Sequence, residues 1–318
     1  MPYPTVIATS VVRSAHKGES HGGVFLIDLE AETFEQVVDW DTAEIEWAGR
    51  GHDRGLRGIA FWGGRTYIAA SDSLMVYDRG FRLVGRHRNR YLRHCHEIDV
   101  EGDTLWLTST GFDSLLAFDL KREAFIRGCC LRLGVPGLIR RRLAPSWPPR
   151  LRTFDPESPA GPAAGDSVHL NMVAARGGAI YCSGTRLACV MQLSGEDLRR
   201  YARIPLSTHN AMPHGEAILL QDTARDRVLT CDRDGKEIES WSLPTFEPES
   251  LLFRDLPSDH ARQAFGRGLC TAPGGLIIAG SSPSTVSVFE SGQRRPLRSV
   301  NLTLDVRSAI HGLELYPH

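Results

Sequence analysis

No stretch of this 318-residue chain carries the roughly 18 consecutive apolar residues that a membrane span needs. Its opening, Met1-Pro-Tyr-Pro-Thr-Val-Ile-Ala-Thr-Ser10, lacks the basic lead and long apolar core of a secretory signal. Charge of one sign is also missing. Lys+Arg 37 against Asp+Glu 38 argues against nucleic acid as a partner. Cysteine is sparse and irregular. Cys95, Cys129, Cys130, Cys182, Cys189, Cys231 and Cys270 are odd in number and include no C-x-x-C pair, so neither a disulfide framework nor a zinc ribbon fits. They read as buried thiols of a protein in a reducing cytoplasm. No P-loop, G-x-G-x-x-G fingerprint or Ser-His-Asp order supports an NTPase, a dinucleotide enzyme or a hydrolase.

What the chain does have is short β-rich runs closed by turn residues, with Gly 31 and Pro 18 to make the turns. Arg57-Gly-Ile-Ala-Phe-Trp62, Thr66–Ser71, Ser73–Asp78 and Phe81–Gly85 read as a four-stranded meander. Similar series begin at His96, His169, His214 and Arg267. The starts at 57, 96, 169, 214 and 267 are 39, 73, 45 and 53 residues apart, against about 40 to 50 for a four-stranded propeller blade. The longer interval between His96 and His169 holds an irregular Pro/Arg-rich insertion at about 131–165, with Trp147 among prolines. Such a loop is expected to cap a substrate, bind a partner or touch a membrane surface. His311-Gly-Leu-Glu-Leu-Tyr316 is a lone strand at the C-terminus, and the N-terminus supplies Thr5–Val11, Gly23–Asp28 and Phe34–Val38. Together they complete a sixth blade. The expectation is an all-β, six-bladed β-propeller, one domain over 1–318, closed by pairing its terminal strands so that no sheet edge is left open.

The first strand of each propeller blade lines the central channel, so equivalent positions form a ring. The blade starts place His311, Arg57, His96, His169, His214 and Arg267 there. Imidazoles converging on one axis suit a borderline metal, with Fe(II) favoured over Zn(II) and Cu(II). His96, His169 and His214 form the expected ligand set, and His311 is a fourth ligand or a general acid/base. Arg57 and Arg267 suit the anionic group of a small substrate. Glu97, Glu216 and Glu314 are candidate acceptors for ligating histidines, Glu216 foremost. His94 lies two residues before His96 and could replace it. His52 and His209 are placed in the loops above the ring, first as surface loop histidines and alternatively as lining of the channel mouth.

Cys95-His-Glu-Ile98, the following Leu105-Trp-Leu-Thr-Ser-Thr-Gly-Phe-Asp-Ser-Leu115 and Asp166-Ser-Val-His-Leu-Asn171 resemble a bacterial family of largely uncharacterised propeller proteins. That family carries a Cys-His-Glu-Ile segment and a later Cys-His-Leu-Asn-Gly segment, and some members are associated with sulfotransferase-type proteins. The likeness covers about a quarter of the chain and carries over His96 and His169, with Val168 and Met172 replacing the family's second Cys and its Gly. By architecture alone, an axial histidine cluster is similar to the iron site of carotenoid cleavage oxygenases, and a His/Arg channel is similar to bacterial aryl sulfotransferases. The leading expectation is a cytoplasmic, metal-dependent oxygenase or lyase of secondary metabolism, monomeric or weakly self-associating. The alternatives are a metal-free group transferase using a channel histidine, and a propeller serving as an interaction platform.

Overall fold

The computed structural model describes residues 2–16, 18–41, 55–133, 149–257 and 262–318. His52 and Trp147 lie outside the described residues. The chain opens with strands β1 (Thr5–Val12), β2 (Gly23–Asp28) and β3 (Thr33–Asp39), followed by β4 (Ile59–Trp62), β5 (Arg65–Ala70), β6 (Ser73–Tyr77) and β7 (Leu83–Arg88). Next come β8 (Ile98–Glu101), β9 (Thr104–Ser109), β10 (Ser114–Asp119), β11 (Ala124–Cys130) and β12 (Arg152–Phe154). The fourth group is β13 (Leu170–Arg176), β14 (Ala179–Gly184), β15 (Cys189–Ser194) and β16 (Asp197–Arg203). The fifth is β17 (Thr208–His214), β18 (Ala217–Asp222), β19 (Arg227–Cys231) and β20 (Glu237–Ser242). Finally come β21 (Leu269–Ala272), β22 (Leu276–Ser281), β23 (Thr285–Phe289), β24 (Arg298–Asn301) and β25 (Ser308–Leu315).

These strands make six antiparallel sheets in the all-β class of six-bladed β-propellers. The expected terminal pairing is present: β25 lies beside β1, with Val6 opposite Leu315 and Val12 opposite Ser308. One sheet is longer than expected. The second half of the 131–165 insertion supplies β12, which adds a fifth strand to the β8–β11 sheet. Gly128 makes room for it, since a Cβ there would stand 2.2 Å from the Phe154 ring. Tyr91 packs edge-on against Phe154 and Phe112, and its hydroxyl donates to Ser158 O at 2.8 Å. No helix among the described residues is long and apolar enough to cross a membrane.

Side chains alternate along these strands, and the apolar face of each sheet packs into layers between sheets. One core cluster holds Leu115, Cys129, Val173, Cys182, Cys189 and Met191; another holds Val6, Ala8, Ile278, Val286 and Ile310. All seven cysteines are buried free thiols and serve as small apolar residues. By packing, the chain forms two compact units. The first comprises residues 1–59, 225–228 and 240–318; the second comprises 60–224 and 229–239.

Candidate functional site

His96, His169 and His214 all belong to the second unit, whereas Arg57, Arg267 and His311 belong to the first. Each unit has its own chemistry.

In the second unit, His96 and His169 come together. Their rings meet edge to face, 5.4 Å between centroids at 65°. Both stand just before the first strand of a sheet. His94, His169 and Asn210 bend the chain into these strands in the left-handed region, at φ +53°, +51° and +50°. Non-glycine residues adopt that conformation at a cost of about 1–2 kcal/mol each, so the surroundings must hold it.

Each imidazole is held by its Nδ1. His96 Nδ1 lies 2.8 Å from His94 O and 2.9 Å from Thr110 Oγ1. The Thr110 hydroxyl gives its proton to Leu170 O. Both neighbours of Nδ1 are therefore acceptors, so Nδ1 carries the hydrogen and Nε2 the lone pair. His169 Nδ1 donates to Asp166 Oδ2 at 2.9 Å, which again puts the lone pair on Nε2. Burial pushes the Asp166 carboxyl up, but the His169 hydrogen bond and the charges of His169 and Arg186 outweigh it and hold it below the usual carboxylate range. His96 is buried, while the His169 side chain keeps 27% of its surface exposed.

The entrance to His169 is fixed from below by Asp113, whose carboxylate is fully buried. It accepts from Ser167 N, Ser167 Oγ and Val168 N at 2.8–3.0 Å. Beside His96, the buried Glu97 carboxylate accepts from Asn210 Nδ2 at 3.0 Å, joining the β8 sheet to the β17 sheet. Asn171 completes the floor. Its Nδ2 donates to Thr208 O at 3.2 Å, and its buried Oδ1 has no hydrogen-bond partner among the described residues.

Several expectations are corrected here. His214 does not begin a first strand. It ends β17, opposite Ala217 and next to the turn at Gly215, while the buried His209 sits at the entering end. Thr208-His-Asn-Ala-Met-Pro-His214 has too little β-branched and aromatic character to read as a strand, so β18 was mistaken for it. His209 therefore leaves the mouth and enters the strand row, where its Nδ1 lies 2.8 Å from Thr223 Oγ1. Glu216 is no acceptor for histidine: its side chain is exposed and lies 3.5 Å from Arg233. Asp166 takes that role for His169, and the signal was present as a carboxylate three residues before the histidine. His94 does not replace His96; it is the residue whose carbonyl receives His96 Nδ1. Of the expected ligand set, His96 and His169 meet, His214 stands at the far end of β17, and His311 belongs to the first unit. Among the described residues, no three His, Cys, Asp or Glu side chains are arranged to hold a metal ion.

In the first unit, His311 sits in a β-bulge of β25, between the pairs Ala8–Leu313 and Ser10–Ile310. Its Nε2 lies 2.7 Å from Arg267 Nη1. A guanidinium only donates, so His311 Nε2 accepts and the ring hydrogen is on Nδ1. Nε2 is thereby engaged with Arg267. Arg267 is followed by Gly268 at φ +75°, which absorbs the step in register before β21. Arg57 flanks β25 on the other side. Its carbonyl accepts from Thr9 Oγ1 at 2.6 Å, and Thr9 Oγ1 accepts from Gly312 N at 2.8 Å. Arg267, Arg13 and Arg262 converge on one ring, with guanidinium carbons 4.9, 4.5 and 4.9 Å from the Phe265 centroid. Two unit charges 8 Å apart repel by about 2 kcal/mol at an effective dielectric of 20. One cation–π contact returns about 0.5–1 kcal/mol. Anions are thus favoured beside these groups, as Asp226 is at 2.5 Å from Arg262.

No protein family matches the sequence, and no curated protein does. Solved structures do. A protein of unknown function from Bacteroides caccae superimposes with a TM-score of 0.58 over 98% of both chains at 7% identity. A Bacteroides uniformis protein provisionally assigned as a 6-phosphogluconolactonase gives 0.51 at 10% identity, over 96% of this chain and 85% of that one. A streptogramin B lyase gives 0.42 at 11% identity, over 76% of this chain and 70% of the other. At such identities the likeness establishes the propeller fold. Uncharacterised bacterial propeller proteins and propeller enzymes both stand among these neighbours.

Proposed function

We propose that this protein is an enzyme whose reaction turns on proton or group transfer at His169, assisted by His96, on a small molecule and without a resident metal. One observation carries the reading: two adjacent imidazoles are locked in the same tautomer, each with Nδ1–H donated and each presenting an Nε2 lone pair. A neutral imidazole in that form is ready to take a proton or attack a transferable group. His169 is the better base of the two. Asp166 stands behind its Nδ1 and would stabilise the imidazolium that forms. His96 lies deeper, and its Nδ1 is held between neutral oxygens; it would accept a hydrogen bond from the substrate and orient it. The site is therefore rich in acceptors, which suits a substrate bearing O–H or N–H groups. Lyase and transferase chemistry both fit this arrangement.

The test begins without a substrate. Histidine ¹⁵N chemical shifts should report Nδ1–H tautomers for His96 and His169. Chelated and untreated protein are then incubated with pooled small metabolites in D₂O, and mass spectrometry follows deuterium uptake or conversion. Turnover that survives chelation and is lost in His169→Gln and His96→Gln is the expected result. Stoichiometric bound metal, together with loss of turnover on chelation, would overturn it in favour of metal catalysis.

A further inference from the structure

We propose that copies of this protein associate head to tail in solution, the acidic outer strand β3 of one copy against the basic outer strand β7 of another. Neither strand carries a residue of the histidine pair, so the proposal stands apart from the reaction assigned to it. Three features support it.

The first is where charge is placed. The chain as a whole is nearly neutral, at −1. Yet residues 28–41, which contain β3, hold Asp28, Glu30, Glu32, Glu35, Asp39 and Asp41 and no Lys, Arg or His. Residues 79–93, which contain β7, hold Arg79, Arg82, Arg86, Arg88, Arg90 and Arg93 and no Asp or Glu. Blocks of one sign repel their own kind and attract the opposite kind. Some of these charges are engaged within the chain: Glu32 pairs with Arg298, and Arg82 with Asp78. Glu35, Asp41, Arg79 and Arg90 are exposed, and among the described residues their side chains make no hydrogen bond or ion pair.

The second is an open edge. Among the described residues, β3 ends its sheet and pairs only with β2, and β7 ends its sheet and pairs only with β6. Alternate main-chain N–H and C=O groups of each strand therefore face outward. Charge on such an edge ordinarily blocks pairing with another chain. Here each edge blocks only its like. Two β3 edges repel, as do two β7 edges, whereas β3 and β7 attract. Bulges at Val37 and Val84 interrupt the two ladders and leave the regular stretches 33–36 and 85–88 to pair.

The third is apolar surface beside the charge. Phe34 on β3 is 45% exposed, and Leu83 and Val84 on β7 are each 52% exposed. Phe34 adjoins Glu35, and Leu83 and Val84 lie between Arg82 and Arg86 in the chain. Protein interfaces combine an apolar centre with a polar rim, and each edge has both. A contact between two different surfaces is heterologous, so it builds rings or open chains.

The experiment uses the full-length protein. Sedimentation and light scattering follow the weight-average mass over a concentration series in about 0.01 M and about 1 M sodium chloride, where the Debye length is about 30 Å and about 3 Å. At low salt the mass should rise with concentration above that of one chain, and at high salt it should return to it. Glu35→Lys with Asp41→Lys, and separately Arg79→Glu with Arg90→Glu, should each weaken association at least tenfold. An equal mixture of these two variants should recover association as far as a heterodimer, because the first keeps a native β7 and the second a native β3. Arg150→Glu with Arg203→Glu makes the same net charge change as the β7 variant at exposed positions outside both strands, and should associate as the wild type does. Circular dichroism and Tm check that every variant is folded. The proposal is overturned if the wild type stays monomeric at low salt, if salt leaves its association unchanged, or if either edge variant associates as the wild type does. It is equally overturned if the Arg150/Arg203 variant loses association as the edge variants do, or if the mixture stays monomeric.

Discussion

Asp113 should be the most consequential carboxylate in the second unit. It closes a short 3-10 turn over Thr110–Phe112 in a left-handed conformation, φ +48°, with its carboxylate fully buried. Both oxygens accept from Ser167 N; one also takes Ser167 Oγ and the other Val168 N, while Arg132 Nε stands 3.5 Å away. The segment it grips leads directly into His169. Replacing Asp113 by Ala strands the buried Val168 N–H and leaves Arg132 facing an apolar gap. A hydrogen bond to a charged group contributes about 1.5–3 kcal/mol, and a stranded buried donor costs about 1–3 kcal/mol. Since these overlap, the net loss should be about 3–5 kcal/mol, in line with breaking a buried ionic network by removing one partner. Asp113→Asn keeps an acceptor oxygen and tolerates positive φ, so it should lose about half as much. Urea denaturation followed by tryptophan fluorescence and far-UV circular dichroism gives the values. The control is Asp103→Ala, which removes an exposed pair with Lys121 and should cost under about 1 kcal/mol. A loss under about 1 kcal/mol for Asp113→Ala would refute the reasoning, because the loop before His169 would then be held by something else.

Other outcomes follow from single contacts. Asp166 has a depressed carboxyl in the folded protein, so its contact with His169 adds stability above the unfolded carboxyl range, near pH 4, and that contribution disappears as pH falls through the lower folded value. Asp166→Asn should therefore flatten the acid limb of the stability profile below about pH 5, measured by urea midpoints; an unchanged limb would count against the contact. Burial drives the Cys189 thiol up to about 12 and Cys231 up to about 11, and raises Cys182 and Cys270 well above the usual thiol range. A thiol reagent at pH 8 should accordingly modify these four slowly in the native protein and all seven cysteines in denaturant; rapid native labelling of any of the four would contradict their burial. Gly312→Ala would set a Cβ 2.3 Å from Arg57 O and 2.7 Å from Thr9 Oγ1. Overpacking of that kind costs about 1–3 kcal/mol, whereas Gly80→Ala in an open turn should stay within about 0.5 kcal/mol; equal melting temperatures would show that β25 can shift.

The repeat was legible because it is written in the outer strands. Thr66–Ser71, Ser114–Asp119 and Ala179–Gly184 are short β-rich runs that end in turn residues, and each became a strand within a residue or so. The terminal pairing could be read from the lone strand at His311, since an unpaired β25 would leave a sheet edge open. The first strand of the fifth sheet was not legible. Thr208–His214 contains Asn210, Pro213 and two histidines, and only its burial between neighbours makes it a strand. Missing it moved the strand origin by five residues and exchanged His209 for His214. Bulges explain the rest. Extra residues at Asn171, at Asn210–Ala211 and at His311–Gly312 shift side chains between faces, and a period-two reading cannot see them. What Asp113 and Asp166 grip is shown by the fold.

The histidines also show how one repeated position acquires different chemistry. His96, His169 and His311 all carry hydrogen on Nδ1 and a lone pair on Nε2, although different partners impose that state. For His96 and His169 the constraint comes from behind, through acceptors at Nδ1. For His311 it comes from the front, because Arg267 donates into Nε2 itself. A lone pair already receiving a guanidinium hydrogen is a poor base, and protonating it would set two cations 2.7 Å apart. His311 is therefore suited to aiming Arg267, while His169, backed by a carboxylate, is suited to accepting a proton. The deciding group is local for His169, whose Asp166 stands three residues before it, and distant for His311, whose Arg267 comes from the neighbouring sheet 44 residues away.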